Sequence, residues 1–221
     1  MRRKKFNKPK IHYRGKFIVV DGCEGAGKTT LLKALSEKSQ PEKILITHEP
    51  GGTLFADKIR AVILSEEAKE AGAETQFCLM WAARAEHLKH KIIPALEKGI
   101  TVISDRFDSS TFAYQIYGQE AKYLEKLFWQ TREVFLRERQ PDLYIFLDVL
   151  PEVGLARIAE NKRKGKLPDH FEKRSRAFHR RVHDGYRKFF KAVPHVVIDA
   201  DRPLGAMQED TLSVIRKYLR S

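Results

Sequence analysis

The run FIVVDGCEGAGKTT, residues 17–30, joins an apolar segment, a glycine-rich turn and the start of a polar helix. Residues 17–21 are apolar and rich in β-branched side chains, as expected of a buried parallel strand. Gly22 to Thr29 match the pattern G-x-x-x-x-G-K-[ST], in which backbone N–H groups and a helix N-terminus surround a phosphate. We expect the helix to cover about residues 28–38. Together these features predict a binding site for the phosphates of a nucleoside triphosphate.

Strand-like and helix-like patterns alternate along the rest of the chain. Apolar runs occupy residues 43–47, 100–104, 143–148 and 195–199, and helical patterns occupy residues 54–64, 74–98, 119–139 and the C-terminal segment. This alternation predicts a doubly wound α/β domain with a parallel sheet covered by helices on both sides. Such sheets bind ligands at the carboxyl ends of their strands, so the chemistry is expected just after Asp21, Thr47, Ser104 and Asp148.

Composition and charge bound the domain organisation. The chain has 221 residues, 42% of them hydrophobic, and a formal charge of +13. Residues 1–16 hold eight basic residues and no acidic one, so the rest of the chain carries a charge of +5. We interpret residues 1–16 as a flexible, solvated extension and residues 17–221 as one domain. Nucleic-acid binding by the extension and a transit peptide are the weaker alternatives.

The expected setting of the protein is the cytoplasm, with no membrane partner. No apolar run approaches the length of a transmembrane helix, and no secretory signal is visible. Two cysteines in a chain of this size do not make a disulfide framework, which favours a reducing compartment.

Four side chains suit a nucleotide and its metal ion. Lys28 can reach the β- and γ-phosphate oxygens, and the Thr29 hydroxyl can hold Mg2+. Asp105 follows the third strand, where an acid supports Mg2+ through water. Arg106 is next to it and suits bidentate phosphate binding, although an Asp-Arg pair taken alone is more often a surface ion pair. We therefore predict a nucleoside triphosphate as ligand and Mg2+ as cofactor.

The remaining patterns favour a small kinase over other nucleotide-binding classes. GTPases read guanine with an Asn-Lys-x-Asp loop, whereas residues 161–164 read NKRK and contain no Asp. A basic run at about residues 157–176, interrupted by Gly165 and Pro168, is interpreted as a small basic lid that closes over the transferred phosphoryl group and excludes water. The alternative for this run is a solvated, charged helix face.

Several segments in combination resemble the thymidylate kinase family, over almost the whole chain after residue 16. They are VVDGCEGAGKTT at 19–30, THEPGGT at 47–53, WAARAEH at 81–87, SDRFDSSTFAYQ at 104–115, RQPDLYIFLDVLPEVGLAR at 139–157 and FHRRVHDGY at 178–186. The resemblance implies a P-loop NTPase fold with a five-stranded parallel sheet, a homodimer, ATP with Mg2+, and transfer of a phosphoryl group to dTMP giving dTDP.

The resemblance also implies roles for individual residues. Arg84 is similar to the family's base-reading arginine, Thr111 and Gln115 fall at the pyrimidine edge, and Tyr114 resembles the tyrosine beneath the deoxyribose. Arg106 and Arg60 resemble the clamp on the acceptor's phosphate, and Glu24 the acid near the acceptor sugar.

The predicted site residues form four groups. The expected ATP-binding residues are Gly22, Cys23, Glu24, Gly25, Ala26, Gly27, Lys28, Thr29 and Thr30. The expected acceptor-binding residues are Asp21, Glu49, Arg60, Met80, Arg84, Arg106, Ser110, Thr111, Tyr114 and Gln115. The expected catalytic residues are Lys28, Arg106, Glu24 and Arg163, and the expected metal ligands are Thr29 and Asp105.

Four positions depart from the family pattern. Met80 stands where the family usually has a Phe that stacks on thymine, His48 and His170 stand where it usually has Arg, and Asp21 replaces a Glu. Met80 keeps open a related nucleoside monophosphate kinase with a different or broader pyrimidine acceptor. A nucleotide-binding protein without catalysis is the third hypothesis.

Cys23 lies in the phosphate-binding loop, near Lys28 and a helix N-terminus. A thiol in such a place can be acidified and so become open to oxidation. We favour the other interpretation, a small side chain that fills space at a variable loop position.

Overall fold

The computed structural model describes residues 15–38, 43–163 and 170–220. Its strands are β1 (Phe17–Gly22), β2 (Ile44–His48), β3 (Thr101–Asp105), β4 (Leu143–Asp148) and β5 (His195–Asp199). They form one parallel sheet in the order β2-β3-β1-β4-β5, with Val19 of β1 opposite Ser104 of β3 and Tyr144 of β4. The predicted α/β fold with a five-stranded parallel sheet is confirmed, and each predicted strand agrees with the observed one to within one residue at either end.

Helices flank this sheet. The α-helices are α1 (Lys28–Lys38), α2 (Leu54–Leu64), α3 (Ala73–His87), α4 (Ile93–Glu97), α5 (Asp108–Thr111), α6 (Glu125–Leu136), α7 (Pro151–Arg163), α8 (Arg176–Phe190) and α9 (Leu204–Arg220). Wider π-helical turns occupy Leu88–Ile92 and Phe112–Gly118, and 3-10 turns occupy Glu67–Glu70 and Lys122–Leu124.

The helix predictions were partly right. The pattern at 54–64 coincides with α2, and the pattern at 74–98 is helical from α3 through the π turn to α4. The predicted helix at 119–139 is shorter, because Arg137 adopts a positive φ of 48° and ends α6 after Leu136. The sequence analysis missed α5 with its π-helical continuation, α7 and α8.

Helix α8 contributes a buried face to the core beside the site, although its sequence, RAFHRRVHDGYRKFF, is strongly charged. Its buried face carries Phe178, Val182, Tyr186 and Phe189, and packs closely on the π-helical segment Phe112–Gly118. A Cβ on Gly185 would lie 2.8 Å from Cβ of Tyr117, so only glycine permits this approach. The contact brings the Tyr186 hydroxyl to 2.7 Å from the Asp21 carboxylate at the end of β1.

The sheet centre forms the core. Residues Phe17 to Val20 of β1 are at most 1% exposed, whereas Val197 on the edge strand β5 is 49% exposed. A central strand of a sheet covered on both faces must be apolar throughout, which is why the FIVV run marked this position in the sequence.

Some predictions fall on residues outside the described ranges. Of the predicted basic extension, the structure describes residues 15–16, where Gly15 donates a backbone hydrogen bond to the Leu96 carbonyl at 3.2 Å. Of the predicted lid, residues 164–169 lie outside the described residues. Within the described residues, none of the helices combines the length and the apolar character needed to cross a membrane.

Candidate active site

A cavity of about 860 Å³ opens at the carboxyl end of the sheet. Its walls come from the loops after β1, β2, β3 and β5 and from helices α2, α3 and α7. This is the location predicted from the strand pattern. These loops come from distant parts of the chain. They lie side by side because the parallel strands that precede them end at the same edge of the sheet.

The phosphate-binding loop lines one end of this cavity. Gly25 and Gly27 have φ values of 73° and 87°, a backbone conformation that residues with a Cβ rarely adopt. The Lys28 ammonium group donates to the carbonyl oxygens of Gly22 and Cys23 at 2.8 and 2.9 Å, so it lies across the loop. Burial and the nearby charge of Arg106 lower the pKa of Lys28. Thr29 is exposed at the start of α1 and faces the same cavity.

Cys23 is 4% exposed, and burial raises its pKa to about 12, which outweighs the opposing charge of Lys28. This agrees with the favoured interpretation of Cys23 as a small side chain that fills space, and it argues against an acidified thiol. The physical reason is that desolvation disfavours the thiolate more than the neighbouring cation favours it. Cys23 packs as a small apolar residue.

Asp105 and Thr29 fit a magnesium ion held together with nucleotide phosphates. One carboxylate oxygen of Asp105, Oδ1, is buried and has no hydrogen-bond partner in the described parts of the chain, and burial raises the pKa of this group. The described residues contain no group of three or more His, Cys, Asp or Glu that is able to hold a metal on its own. Mg2+ typically takes one or two protein ligands and completes its shell with phosphate and water, so the two residues suit it.

Arg106 lies at the centre of the site, and its own backbone is unusual. Its φ is 66°, and Ser104 holds its carbonyl through a hydrogen bond of 2.8 Å. The guanidinium donates to Glu24 at 2.6 Å and to Tyr186 at 3.1 Å. A left-handed conformation at a residue other than glycine persists only where the surroundings enforce it, and it is typical of functional sites.

Glu24 of the phosphate-binding loop is the partner of Arg106. It also accepts a hydrogen bond from the Tyr114 hydroxyl at 2.8 Å. Burial by itself raises the pKa of Glu24, but the charges of Arg106 and Lys28 outweigh it and lower the pKa from 4.5 to about 2. Glu24 is therefore ionised at neutral pH and fixes both Arg106 and Tyr114 at the wall of the cavity.

Asp21 supports Arg106 from below. It is fully buried and accepts hydrogen bonds from Ser109 at 2.6 Å, from Ser110 at 3.0 Å and from Tyr186 at 2.7 Å. Its carboxylate also lies 3.5 Å from the Arg106 guanidinium. The sequence analysis gave no role to Ser109 or Tyr186, although Tyr186 lies in the quoted segment FHRRVHDGY.

A second buried network holds Arg84 at the opposite wall. Its Nε donates to Glu49 at 2.9 Å and its Nη2 to Thr111 at 3.1 Å, while Nη1 is buried and has no partner within the described residues. The other oxygen of Glu49 lies 3.0 Å from His87, whose second ring nitrogen lies 2.7 Å from Thr47. The sequence analysis missed His87, which shares a helix face with Arg84 at a spacing of three residues.

Gln115 lies near Arg84 and completes this wall. Its Oε1 is buried without a partner in the described chain, and its Nε2 donates to Gln76 at 3.2 Å. Met80 lines the same part of the cavity, one helical turn before Arg84. Arg60 also lines the cavity and donates to the Pro50 carbonyl at 2.8 Å.

A family model described as thymidylate kinase matches residues 20–211 of the chain. The chain belongs to the thymidylate kinase family. The thymidylate kinase of Nitrobacter winogradskyi is 42% identical over an alignment of 198 positions that covers 88% of this chain and 85% of the relative. That of Alkalilimnicola ehrlichii is 38% identical over an alignment of 216 positions that covers 93% of this chain and 96% of the relative. This membership confirms the predicted enzyme class, a kinase that transfers a phosphoryl group from ATP to dTMP.

Most of the predicted site residues line the cavity at the carboxyl end of the sheet. They are Glu24, Gly25, Ala26, Gly27, Lys28, Thr29, Thr30, Glu49, Arg60, Met80, Arg84, Asp105, Arg106, Ser110, Tyr114 and Gln115. Asp21, Gly22, Cys23 and Thr111 are not among the lining residues, and the side chains of Asp21 and Thr111 instead hold residues that are.

The structure describes only the two ends of the predicted lid. Arg163 is exposed at the end of α7 and does not line the cavity. Arg157 of the same helix donates to the carbonyls of Gly25 and Ala200 at 3.2 and 2.8 Å, so it braces the phosphate-binding loop. Phe171, beyond the undescribed residues, lines the cavity again. Both ends of the predicted lid thus approach the site.

Proposed function

We propose that the cavity binds ATP at the phosphate-binding loop and dTMP between Arg106 and Gln115, and that in-line transfer yields ADP and dTDP. The observation that carries this proposal is a pair of buried polar atoms without partners among the described residues, Arg84 Nη1 and Gln115 Oε1. Buried polar groups are normally satisfied, so such a pair points to a ligand. One is a donor and the other an acceptor.

Thymine carries the matching groups on one edge, since its C4 carbonyl accepts a hydrogen bond and its N3–H donates one. Cytosine has the opposite arrangement, with an amino group at C4 and an acceptor at N3. A cytosine base in the same pose leaves Arg84 and Gln115 each facing a group of the same kind. The geometry therefore supports a thymine or uracil base over cytosine.

The acceptor phosphate is proposed to lie between Arg106 and Arg60, which both line the cavity. A phosphate monoester is already an anionic nucleophile, so no dedicated general base is required. Holding two phosphates in line and neutralising their charge is most of the catalytic work. Lys28 and Arg106 are proposed to supply the neutralising charge, and Arg163 to join them from the lid.

Thr29 and Asp105 are proposed to hold Mg2+ with the ATP phosphates, Asp105 through water. The ion, when bound, neutralises charge on the β- and γ-oxygens. Tyr114 is proposed to lie against the deoxyribose, because its ring is fixed between Glu24 and Arg106. We further propose a homodimer in the cytoplasm, on the resemblance to the family and on the two free cysteines.

Turnover of ATP with a panel of acceptors, dTMP, dUMP, UMP, CMP, GMP and AMP, tests this proposal. We expect fast phosphorylation of dTMP, little of UMP or CMP, and a loss of about 10²–10³ in kcat for Lys28→Ala, typical of removing one charge-stabilising donor. Lys33→Ala, an exposed lysine on the same helix, is the matched control. Comparable rates with several pyrimidines favour the broader kinase that Met80 suggests. ATP binding without turnover of any acceptor contradicts the proposal.

A further inference from the structure

We infer that Gln76 is a positioning residue that sets the acceptor-base specificity by fixing which end of the Gln115 amide faces the cavity. The inference rests on the proposed function and concerns a residue that touches neither base nor phosphate. Gln76 is fully buried on α3, eight residues before Arg84 and four before Met80, and therefore on the same face of that helix.

Three glutamine side chains are joined by hydrogen bonds at this point; Gln76 and Gln115 are fully buried and Gln119 is half-buried. Gln76 donates through Nε2 to the backbone carbonyls of Ala68 and Ala71, at 3.1 and 3.3 Å. Its Oε1 accepts from Gln115 Nε2 at 3.2 Å and from Gln119 Nε2 at 2.5 Å. Gln76 thus uses both of its donor hydrogens and its acceptor oxygen.

The two backbone carbonyls fix the donor and acceptor ends of all three linked glutamine amides. A carbonyl oxygen can only accept a hydrogen bond, so Ala68 and Ala71 must face the amino end of the Gln76 amide. A flipped Gln76 would set its own oxygen against both carbonyls inside the core, where unmet polar groups are costly. The Gln76 oxygen must therefore face Gln115, and Gln115 must donate a hydrogen bond to it from its amino group.

The consequence reaches the cavity. Once its amino group is held by Gln76, Gln115 has its oxygen left, and this is the buried atom without a partner in the described chain. An acceptor at this place suits the N3–H of thymine or uracil. If the Gln115 amide were free to turn over, it would offer a donor instead, which suits the N3 of cytosine. Gln76 therefore disfavours cytosine by removing this second orientation, in addition to the mismatch at Arg84.

Two substitutions at residue 76 separate positioning from packing. Gln76→Glu keeps an acceptor facing Gln115, whereas Gln76→Met keeps the length of the side chain and has no comparable acceptor. We expect Gln76→Met to lower the ratio of kcat/KM for dTMP to that for dCMP by about 10- to 100-fold, the scale of one mispaired buried group. We expect Gln76→Glu to keep that ratio within about 3-fold of wild type. Gln119→Met is the control, because it leaves the contact between Gln76 and Gln115 in place.

The ratio of the two acceptors is the deciding measurement because it does not depend on how much of a preparation is folded. A purely structural role would lower both kcat/KM values in proportion, and most in Gln76→Glu, which buries a charge. The inference is overturned if Gln76→Met keeps the wild-type ratio, or if Gln76→Glu loses it. Should Gln76→Met not fold, Gln76→Leu, which likewise offers Gln115 no acceptor, takes its place with the same expected loss of the ratio. Failure of the proposed function looks different, since wild type would then show no preference for dTMP over dCMP.

Discussion

Arg106 is the residue at which strand β3, the phosphate-binding loop and helix α8 meet. Its positive φ aims the guanidinium across the loop towards Glu24, and Asp21 and Tyr186 support it from below. A cation this deeply placed is stable only because acidic and hydroxyl groups surround it. The same surroundings hold it ready for a phosphate before any ligand binds, which is the preorganisation that phosphoryl transfer requires.

The pairing of Glu24 with Arg106 predicts a pH dependence of stability. The pKa of Glu24 is about 2 in the folded protein and near 4.5 when unfolded, so the folded state favours the ionised form. Its stabilising contribution is complete above about pH 4.5 and is lost as the pH falls towards 2. Between these values the free energy of unfolding of the wild type should fall more steeply than that of Glu24→Gln, by at most about 1.4 kcal/mol per pH unit.

Urea denaturation of both proteins at pH 5, 4 and 3 measures this difference. Other carboxylates titrate in both proteins and cancel in the comparison. Parallel pH profiles for the wild type and Glu24→Gln would show that Arg106 does not lower the pKa of Glu24.

At the scale of elements, the site depends on close backbone contacts between the phosphate-binding loop and helix α7. A Cβ added to Gly154, in the first turn of α7, would lie 2.3 Å from the carbonyl oxygen of Glu24. Gly25 approaches Gly154 equally closely from the other side. The two glycines therefore allow the phosphate-binding loop to lie directly against the first turn of α7.

Gly154→Ala should shift this loop and weaken ATP binding. Alanine usually favours a helix by up to about 1 kcal/mol, but overpacking against a backbone atom costs about 1–3 kcal/mol. We expect a net loss in the free energy of unfolding and a higher KM for ATP, with the KM for dTMP less affected. Gly205→Ala is the matched control, because this helical glycine of α9 has open space around its Cβ position. Equal behaviour of the two variants in denaturation and kinetics would rule out the role assigned to Gly154.

At the scale of the whole molecule, the cavity is assembled from segments that are far apart in the chain. The proposed dTMP site alone draws on Glu49 after β2, Arg84 on α3 and Arg106 after β3. A ligand that touches all of them binds the folded state and not the unfolded chain. Binding must therefore stabilise the domain as a unit.

We expect dTMP at 100 times its Kd to add about 2.7 kcal/mol to the stability, which raises the unfolding midpoint by about 5–10 °C for a chain of this size. The same concentration of dCMP should raise it much less, because its base faces Arg84 and Gln115 with the wrong groups. Differential scanning fluorimetry with both nucleotides measures the shifts. Equal shifts for dTMP and dCMP would contradict the proposed base pocket.

The sequence by itself determined the sheet, the phosphate-binding loop and the family. These features are local, since a buried parallel strand must be apolar along its length and a phosphate cradle needs glycine and Lys-Thr at fixed spacings. Strand limits were therefore predictable to within one residue. Helix α8 was missed because its buried face is hidden within a charged sequence, and its partner segment is about 60 residues away.

Only the tertiary structure decided which polar atoms are satisfied. Asp21 was predicted to touch the acceptor, but three hydroxyl groups from α5 and α8 surround it instead. Cys23 was placed beside a cation, but its burial dominates its pKa. The orientation of the Gln115 amide depends on two carbonyls more than 40 residues earlier in the chain. Hydrogen-bond partners and desolvation are set by neighbours in space, which spacing along the chain does not record.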